Sequence, residues 1–229
     1  MPKQRIVVFS GAGVSAESGL RTFRDSDGLW EQYRIEDVAT PQAWQRDPAG
    51  VLHFYNLRRH QVLAARPNAA HLAIAQLQRG YHVEVVTQNI DDLHERAGSR
   101  KVLHLHGEIR KARSTADPTL VTRINGPSLH LGDRCALGSQ LRPHIVWFGE
   151  EVPLIPVAAD LIAGADRLLI VGTSLQVYPA AGLVHYASRR CEVVLVDPQE
   201  VGVQRAGMRH IKRTASEGLA LLAVEWLKE

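Results

Sequence analysis

The chain has 229 residues, 45% of them hydrophobic and 22% charged, with a formal net charge of +3. Such a chain can bury a sizeable core, and so small a charge surplus, without a block of Lys or Arg, argues against nucleic-acid binding. The two cysteines, Cys135 and Cys191, fit a reducing compartment better than a disulfide scaffold. Neither a signal peptide nor a run of about 20 apolar residues is evident. We therefore expect a cytoplasmic protein with no membrane partner and no nucleic-acid partner.

Four runs rich in Val, Ile and Leu predict strands that are buried on both faces. They span residues 5–13, 82–89, 167–174 and 192–198. Helical patterns lie between or after them, at residues 71–80, 157–165, 180–190 and 215–229. This alternation predicts an α/β fold with a Rossmann-like, doubly wound parallel sheet.

Two segments interrupt the alternation and predict a smaller inserted lobe. Residues 25–66 read as a loop followed by helices, and residues 108–144 are rich in Gly, Pro and Ser. We predict a large lobe formed by residues 1–24, 67–107 and 145–229. The small lobe then comprises residues 25–66 and 108–144.

The first predicted strand runs directly into GAGVSAESG, residues 11–19. Glycines at such a turn allow backbone N–H groups to approach a pyrophosphate. The spacing is not G-x-G-x-x-G, because Ala16 occupies the third glycine position, and a plain strand-to-helix turn is the alternative. Phe23 and Arg24 follow closely, with Arg24 suited to pair with phosphate and Phe23 to cover a ring.

Polar residues also follow the other predicted strands. Gln88, Asn89 and Asp91 come directly after the second strand, where α/β sheets bind their ligands. The alternative is a capped loop in which Asp91 or Asp92 starts a helix. Asp197 ends a later strand, and a carboxylate there suits ribose hydroxyls and disfavours a 2′-phosphate, which indicates NAD rather than NADP.

The segment KVLHLHGE, residues 101–108, places two histidines two residues apart, on one face if the segment is a strand. A histidine titrates near neutral pH, so a general base is one interpretation of His104 or His106. A metal-binding pair and a structural core or edge histidine are the alternatives.

The order of these motifs resembles the sirtuin family of NAD-dependent protein lysine deacylases. The matching blocks cover most of the chain: GAGVSAESGLRTFRDSDGLW (11–30), TQNIDDLHERAGS (87–99), HLHGE (104–108), RPHIVWFGE (142–150) and VGTSLQVYPAA (171–181). The resemblance implies removal of succinyl, malonyl and acetyl groups from lysine, with release of nicotinamide and O-acyl-ADP-ribose. It implies that acylated proteins bind as extended peptides.

The resemblance also implies roles for individual residues. His106 would be the catalytic base, with Asn89 and Asp91 as catalytic partners, and His104 would be structural. Gln88 and Asn89 would hold the nicotinamide ribose and a water, and Asp91 the nicotinamide carboxamide. The implied cofactor-binding residues are Gly11, Ala12, Gly13, Ser15, Phe23, Arg24, Gln88, Asn89, Ile90, Asp91, His106, Gly172, Thr173, Ser174, Asp197 and Ala215, with Thr214 beside the last.

Substrate contacts are implied in two further segments. Val146, Phe148 and Gly149 would line the peptide channel, while Trp147 alternates to the other face and is a candidate for the core. In FYNLRRH, residues 54–60, Tyr55 and Arg58 match the sirtuin class that removes acidic acyl groups. Arginine suits this task because its planar fork meets a carboxylate with two hydrogen bonds. Arg59, four residues from Tyr55, is a competing candidate for the role of Arg58. The alternative is that Tyr55 and Arg58 lie on a solvated helix face and bind nothing.

The chain departs from most sirtuins in its cysteines. Those relatives hold a structural zinc with four cysteines in two C-x-x-C pairs, whereas Cys135 is the sole cysteine between Glu108 and Leu141. Ser114 stands about where the first of the four would be. One thiolate cannot build a tetrahedral zinc site without other ligands, such as His130 and Asp133. We therefore expect no metal, with packing in its place.

Two rival functions remain open. The first is an NAD-dependent protein mono-ADP-ribosyltransferase, which would use the same cofactor site and leave ADP-ribose attached to a protein. The second is an NAD-sensing module without catalysis. The presence of Asn89, Asp91 and His106 argues against the second.

Overall fold

The computed structural model describes residues 3–20, 33–201, 205 and 207–229. Its larger sheet is built from β1 (Arg5–Ser10), β2 (His82–Thr87), β3 (Val102–His104), β7 (Arg167–Val171), β8 (Glu192–Val196) and β9 (Arg209–Ile211). Within the described residues these six strands are parallel, in the order β3-β2-β1-β7-β8-β9. The predicted doubly wound α/β fold is therefore confirmed.

Helices cover both faces of this sheet, which explains the continuous apolar runs in β1, β2, β7 and β8. One face packs against α5 (Ala69–Leu77) and α8 (Ala215–Trp226). The other face packs against α7 (Ile155–Ala163) and a 3₁₀-helix, Ala180–Tyr186. The helical prediction for 180–190 is thus realised as a shorter, tighter helix, since Gly182 lowers α-helix propensity and 3₁₀-helices serve as short connectors.

The smaller lobe has a separate antiparallel sheet formed by β4 (Gly107–Ser114), β5 (Val121–Arg123) and β6 (Leu141–Ile145), with β4 in the middle. The helices beside it are α2 (Ile35–Val38), α3 (Pro41–Arg46) and α4 (Pro48–Ala64). The short helices α1 (Gly13–Ala16) and α6 (Leu93–Arg96) follow β1 and β2. No helix in the described part of the chain is long and apolar enough to cross a membrane.

Strand order places the loops after β1, β2 and β7 at one edge of the larger sheet. Ser10 at the end of β1 aligns with Thr87 of β2 and with Val171 of β7. The strand order runs outward from β1 in both directions, through β2 and β3 on one side and through β7, β8 and β9 on the other, which makes this edge a topological switch point. Ligands of open α/β sheets bind at such a point, beyond the carboxyl ends of the strands.

Helix α4 is joined to the small sheet by a buried arginine. Asp47 accepts a hydrogen bond from the Gly50 N–H (2.9 Å) and Pro48 occupies the first turn, which explains where the helix starts. Arg59 is completely buried and donates through Nε to the Ile109 carbonyl (2.8 Å) of β4. Its Nη1 donates to the Asn56 side chain (2.6 Å) and to the Pro127 carbonyl (3.2 Å).

We expect Arg59→Met to destabilise the protein by about 2–4 kcal/mol, because it leaves the buried Ile109 carbonyl without its donor. The cause is structural, so the folded fraction should keep its substrate preference. Thermal and urea unfolding of the purified variant provide the measurement. Stability equal to that of the unmodified protein would contradict this role for Arg59.

Candidate active site

The loops after β1 and β7 pack directly against one another and form the floor of a cleft. The Gly13 N–H donates to the Gly172 carbonyl at 2.8 Å. A Cβ on Gly172, whose φ is +60°, would lie 2.2 Å from the Val14 nitrogen, and a Cβ on Gly13 would lie 2.8 Å from the Gly172 Cα. Glycine is therefore required here by the close approach of two loops as well as by any ligand.

The cleft has a volume of about 730 Å³, within the usual range of cofactor and ligand pockets. It brings together every predicted site residue except Phe23 and Arg24, which lie outside the described residues. The predicted residues that line it are Gly11, Ala12, Gly13, Ser15, Tyr55, Arg58, Gln88, Asn89, Ile90, Asp91, His106, Val146, Phe148, Gly149, Gly172, Thr173, Ser174, Asp197, Thr214 and Ala215. Their catalytic and binding roles stay predictions.

His106 lies in the turn between β3 and β4 and is half-buried. Its Nδ1 is 3.0 Å from the Gln88 carbonyl, which can only accept, so Nδ1 carries the proton. Nε2 is then the unprotonated nitrogen of the neutral ring. Burial, opposed by the hydrogen bond to Gln88, holds the pKa of His106 below its ordinary value. The imidazole is thus neutral at pH 7 and suited to accept a proton at Nε2.

The loop after β2 is tied to the loop after β1 by a buried polar cluster. Asn89 donates through Nδ2 to the Ser15 hydroxyl (3.1 Å), and that hydroxyl donates to the Asp91 carboxylate (3.1 Å). Asp91 also accepts from the Leu93 N–H (3.1 Å) at the start of α6, whereas Asp92, the N-cap residue, makes no side-chain capping bond. Burial raises the pKa of Asp91, and its hydrogen bonds oppose that rise.

Tyr55 and Arg58 both line the cleft from α4, whereas Arg59 does not. The structure therefore separates two arginines that spacing left in competition. Arg59 turns into the protein and binds backbone carbonyls. Burial raises the pKa of Tyr55, so its hydroxyl stays protonated and can donate. Burial also lowers the pKa of Arg58, and Tyr55 and Asp91 act against that shift.

Trp147 was predicted to alternate away from the channel as a core candidate, and it is buried, at 2% exposed, in the same hydrophobic cluster as Tyr55. The residue also borders the cleft. The ring lies beside Tyr55, with centroids 6.5 Å apart, and the Arg142 guanidinium stacks 3.3 Å from its centroid. Glu150 holds Arg142 with two hydrogen bonds, at 2.7 and 3.0 Å. Burial alone would raise the pKa of Glu150, yet Arg142 and the backbone N–H of Trp147 keep that pKa below its ordinary value. This ion pair holds one wall of the cleft in place.

The strip at residues 146–148 turns its N–H groups inward. Val146 donates to the His106 carbonyl (2.9 Å), and Phe148 donates to the Ala39 carbonyl (3.0 Å). The Trp147 N–H donates to the Glu150 carboxylate (2.8 Å). The Phe148 side chain is 47% exposed at the mouth of the cleft.

Asp197 lies at the far end of the cleft, after β8, where its carboxylate accepts from the Gln199 N–H (2.9 Å). Glu200 beside it pairs with Lys212. Sequence reasoning gave no role to several residues that line the cleft. Some fall within the matching blocks without having been singled out there, namely Glu17, Leu20, Ile145, Gln176 and Tyr178, and others lie outside every block, namely Ala39, Val62, Gln199 and Glu200.

The place where most sirtuins bind zinc has a different chemistry in this chain. The Cys135 thiol lies 3.2 Å from the Ser114 hydroxyl, and the Asp133 carboxylate accepts from the backbone N–H of His130 (2.7 Å). Beneath them is a cluster of apolar side chains: Leu52, Ala112, Ile124, Leu129 and Leu141. No group of three His, Cys, Asp or Glu residues suited to a metal occurs among the residues that the structure describes. The donor set does not fit a tetrahedral zinc ion.

We expect the purified protein to contain substoichiometric zinc and to keep its melting temperature after treatment with EDTA. A structural zinc contributes folding free energy, so chelation lowers the stability of proteins that contain one. Metal analysis by plasma mass spectrometry and thermal unfolding with and without chelator provide the measurement. One zinc per chain, lost together with stability, would contradict the expectation.

Comparison with known proteins places this fold and cleft in a family. Residues 11–179 match the Sir2 family. An NAD-dependent protein deacylase of Bacteroides thetaiotaomicron is 50% identical over 222 residues, covering 94% of this chain and 95% of the relative. An NAD-dependent protein deacylase of Helicobacter pylori is 53% identical over 196 residues, covering 86% and 85%. The chain therefore belongs to the Sir2 family.

Solved structures agree with this assignment. A complex of a Sir2 homologue with NAD has a TM-score of 0.88 and 39% identity, covering 99% of this chain and 90% of that chain. A Sir2 protein with a deacetylated p53 peptide and 3′-O-acetyl ADP-ribose has a TM-score of 0.80 and 29% identity, covering 97% and 94%. The predicted family resemblance is confirmed.

Proposed function

We propose that this protein is an NAD-dependent protein lysine deacylase that acts on succinyl-, malonyl- and acetyl-lysine. The deacylase names of relatives near 50% identity support the general activity. The observation that carries the proposal is the cleft itself. There, a neutral His106 lies at the same sheet edge as the glycine loops and the polar loop 88–91.

The cleft fits NAD in size and in chemistry. Backbone-rich glycine loops at a sheet switch point suit a pyrophosphate, and the Asp197 carboxylate suits ribose hydroxyls. Gln88, bonded through Nε2 to the Thr173 hydroxyl (2.9 Å), and Asn89 would hold the nicotinamide ribose. Asp91 would hold the carboxamide. When bound, NAD would supply the ADP-ribosyl group that accepts the acyl chain.

His106 is the group we assign to proton transfer. Its Nδ1 is bound to Gln88, which leaves Nε2 to accept a proton from a ribose hydroxyl. A positioned base of this kind contributes about 10²–10⁴-fold to a rate. The buried cluster of Ser15, Asn89 and Asp91 holds the neighbouring loop in one arrangement, so the reacting groups are oriented before the substrate arrives.

Tyr55 and Arg58 support a preference for acidic acyl groups. Both line the cleft from one helix, three residues apart, and the Arg58 charge acts on the Tyr55 hydroxyl. A protonated hydroxyl and a guanidinium are matched donors for a carboxylate in a site sheltered from water. Trp147, held by Arg142, completes the wall beside Tyr55.

Acylated proteins are the proposed partners, bound as extended segments along residues 146–149. The N–H groups of residues 146–148 are bonded within the chain. The N–H groups of a substrate backbone would therefore donate to carbonyl groups of the strip. Contacts to backbone depend little on substrate sequence. We therefore propose that the acyl group, rather than the flanking sequence, dominates selection.

The deciding experiment incubates the purified protein with NAD and paired peptides that carry acetyl-lysine or succinyl-lysine at one position. Mass spectrometry then follows the peptides and the nucleotide products. Faster loss of succinyl, with matching succinyl-ADP-ribose and nicotinamide, is the expected result. Loss of acetyl alone would keep the deacylase and remove the acidic-acyl role of Tyr55 and Arg58.

The same assay separates the second candidate activity. An ADP-ribosyltransferase would leave ADP-ribose attached to a protein acceptor, which adds its mass to that protein. NAD binding without release of nicotinamide from NAD in the presence of either peptide would overturn the deacylase proposal.

A further inference from the structure

His104 makes two contacts that set its protonation state. The ring is 7% exposed at the end of β3. Its Nδ1 lies 2.9 Å from the Asn89 carbonyl, and its Nε2 lies 2.7 Å from the Glu95 carboxylate of α6. A carbonyl and a carboxylate are both acceptors, so each ring nitrogen has to donate. The ring that satisfies both contacts is a doubly protonated imidazolium.

His104 and His106 hold two consecutive carbonyls of the same loop. His104 binds the carbonyl of Asn89, and His106 binds the carbonyl of Gln88. The two rings differ in protonation state. Glu95 faces His104 and favours its protonated form, whereas burial of His106 favours its neutral form. One histidine of the pair is thus charged and fixed, and its neighbour is neutral and able to take a proton.

The charged and titratable groups facing His104 come from three elements. Glu95 and His94 belong to α6, Glu108 to β4 and Asp91 to the loop after β2. Burial lowers the pKa of His104, but Glu95, Asn89 and Glu108 together raise it above its ordinary value. His94 stays neutral, because burial holds its pKa well below the ordinary value. The His104 charge also opposes the rise in the pKa of Asp91.

We propose that His104 is a positioning residue for deacylation: paired with Glu95, its imidazolium fixes the Asn89 carbonyl and keeps a positive charge near Asp91. This inference rests on the proposed function of the 88–91 loop. It assigns Glu95, which does not line the cleft, an indirect role through His104. It also predicts that activity requires one histidine protonated and its neighbour unprotonated.

The direct test is nitrogen-15 NMR of histidine-labelled protein at pH 7.5, with His104→Asn used to identify the His104 signals. Both ring nitrogens of His104 should carry protons, whereas a neutral ring shows one bare nitrogen. A bare nitrogen on His104 at this pH would overturn the proposal. The readout needs no turnover, so it remains decisive even if the proposed deacylase activity is absent.

The kinetic test compares pH profiles of kcat for the unmodified protein, Glu95→Gln and Glu108→Gln. Removing the bonded carboxylate should move the alkaline loss of activity down by about one pH unit, the usual effect of losing an adjacent opposite charge. Glu108→Gln is the matched control, since its charge acts on His104 without a bond, and its shift should be smaller. A Glu95→Gln profile identical to that of the unmodified protein, or lowered equally at every pH, would mean a merely structural contact.

Discussion

The His106→Ala variant is expected to lose deacylation of acetyl and succinyl peptides by about 10²–10⁴-fold, the usual contribution of a positioned base. Alanine removes Nε2, the one nitrogen of the ring that is not engaged by Gln88. The glycine loops and Asp197 stay in place, so NAD binding should persist. Nicotinamide release measures activity, and calorimetry measures NAD binding.

The matched control is His130→Ala, since His130 is an exposed histidine in the small lobe. It should leave both activities unchanged. Residual activity of His106→Ala within tenfold of the unmodified protein would contradict the assignment of the base, since such a loss is smaller than the range expected for a base.

The pH profile of kcat/KM should also report the pKa of His106, the proposed base. Because the base acts when neutral, activity is lost as the pH falls through the pKa of His106. Burial lowers that pKa, so the acid limb should lie below about 6.5, the ordinary histidine value. A limb above 6.5 would contradict the burial argument.

The second large effect is expected from Arg58→Met. Removing a guanidinium that binds a sheltered carboxylate costs 2–5 kcal/mol in comparable pairs, so desuccinylation should fall on the order of 10²-fold. Deacetylation should change little, because an acetyl group has no carboxylate. Rates of kcat/KM on matched acetyl and succinyl peptides provide the measurement.

Arg59→Met supplies a matched control for this experiment: the same substitution, one residue along the same helix. Since Arg59 binds the carbonyls of Ile109 and Pro127, its loss should lower stability and leave the ratio of the two activities unchanged. Equal loss of both activities in Arg58→Met would refute the acidic-acyl role. If Arg59→Met changed the ratio of desuccinylation to deacetylation, the acyl preference would depend on the position of α4 rather than on Arg58 itself.

Residues that fall in motifs were predicted to lie together because strand ends determine their place. Once β1, β2 and β7 are parallel neighbours, residues 11–13, 88–91 and 172–174 must meet at one edge. Cleft residues such as Ala39 and Val62 could not be found this way. They lie outside the motifs and away from the strand ends, so only the tertiary path of the chain brings them to the cleft.

The glycines of GAG and VGT have a structural cause that the sequence did not reveal. Gly13 and Gly172 were predicted to bind the cofactor. They also contact one another across 159 positions of sequence, where a Cβ on either would collide with the other loop. The close packing of two loops cannot be read from either loop alone.

The sequence by itself determined the fold class, the family and the strand ends that form the cleft, since these follow from local apolar runs and from motifs in a specific order. Tertiary structure alone decided between Arg58 and Arg59, because two adjacent helix positions differ only in what they face. It also decided which acceptors reach the ring nitrogens of His104 and His106. Those acceptors belong to Gln88, Asn89 and Glu95 and are brought there by the packing of separate elements.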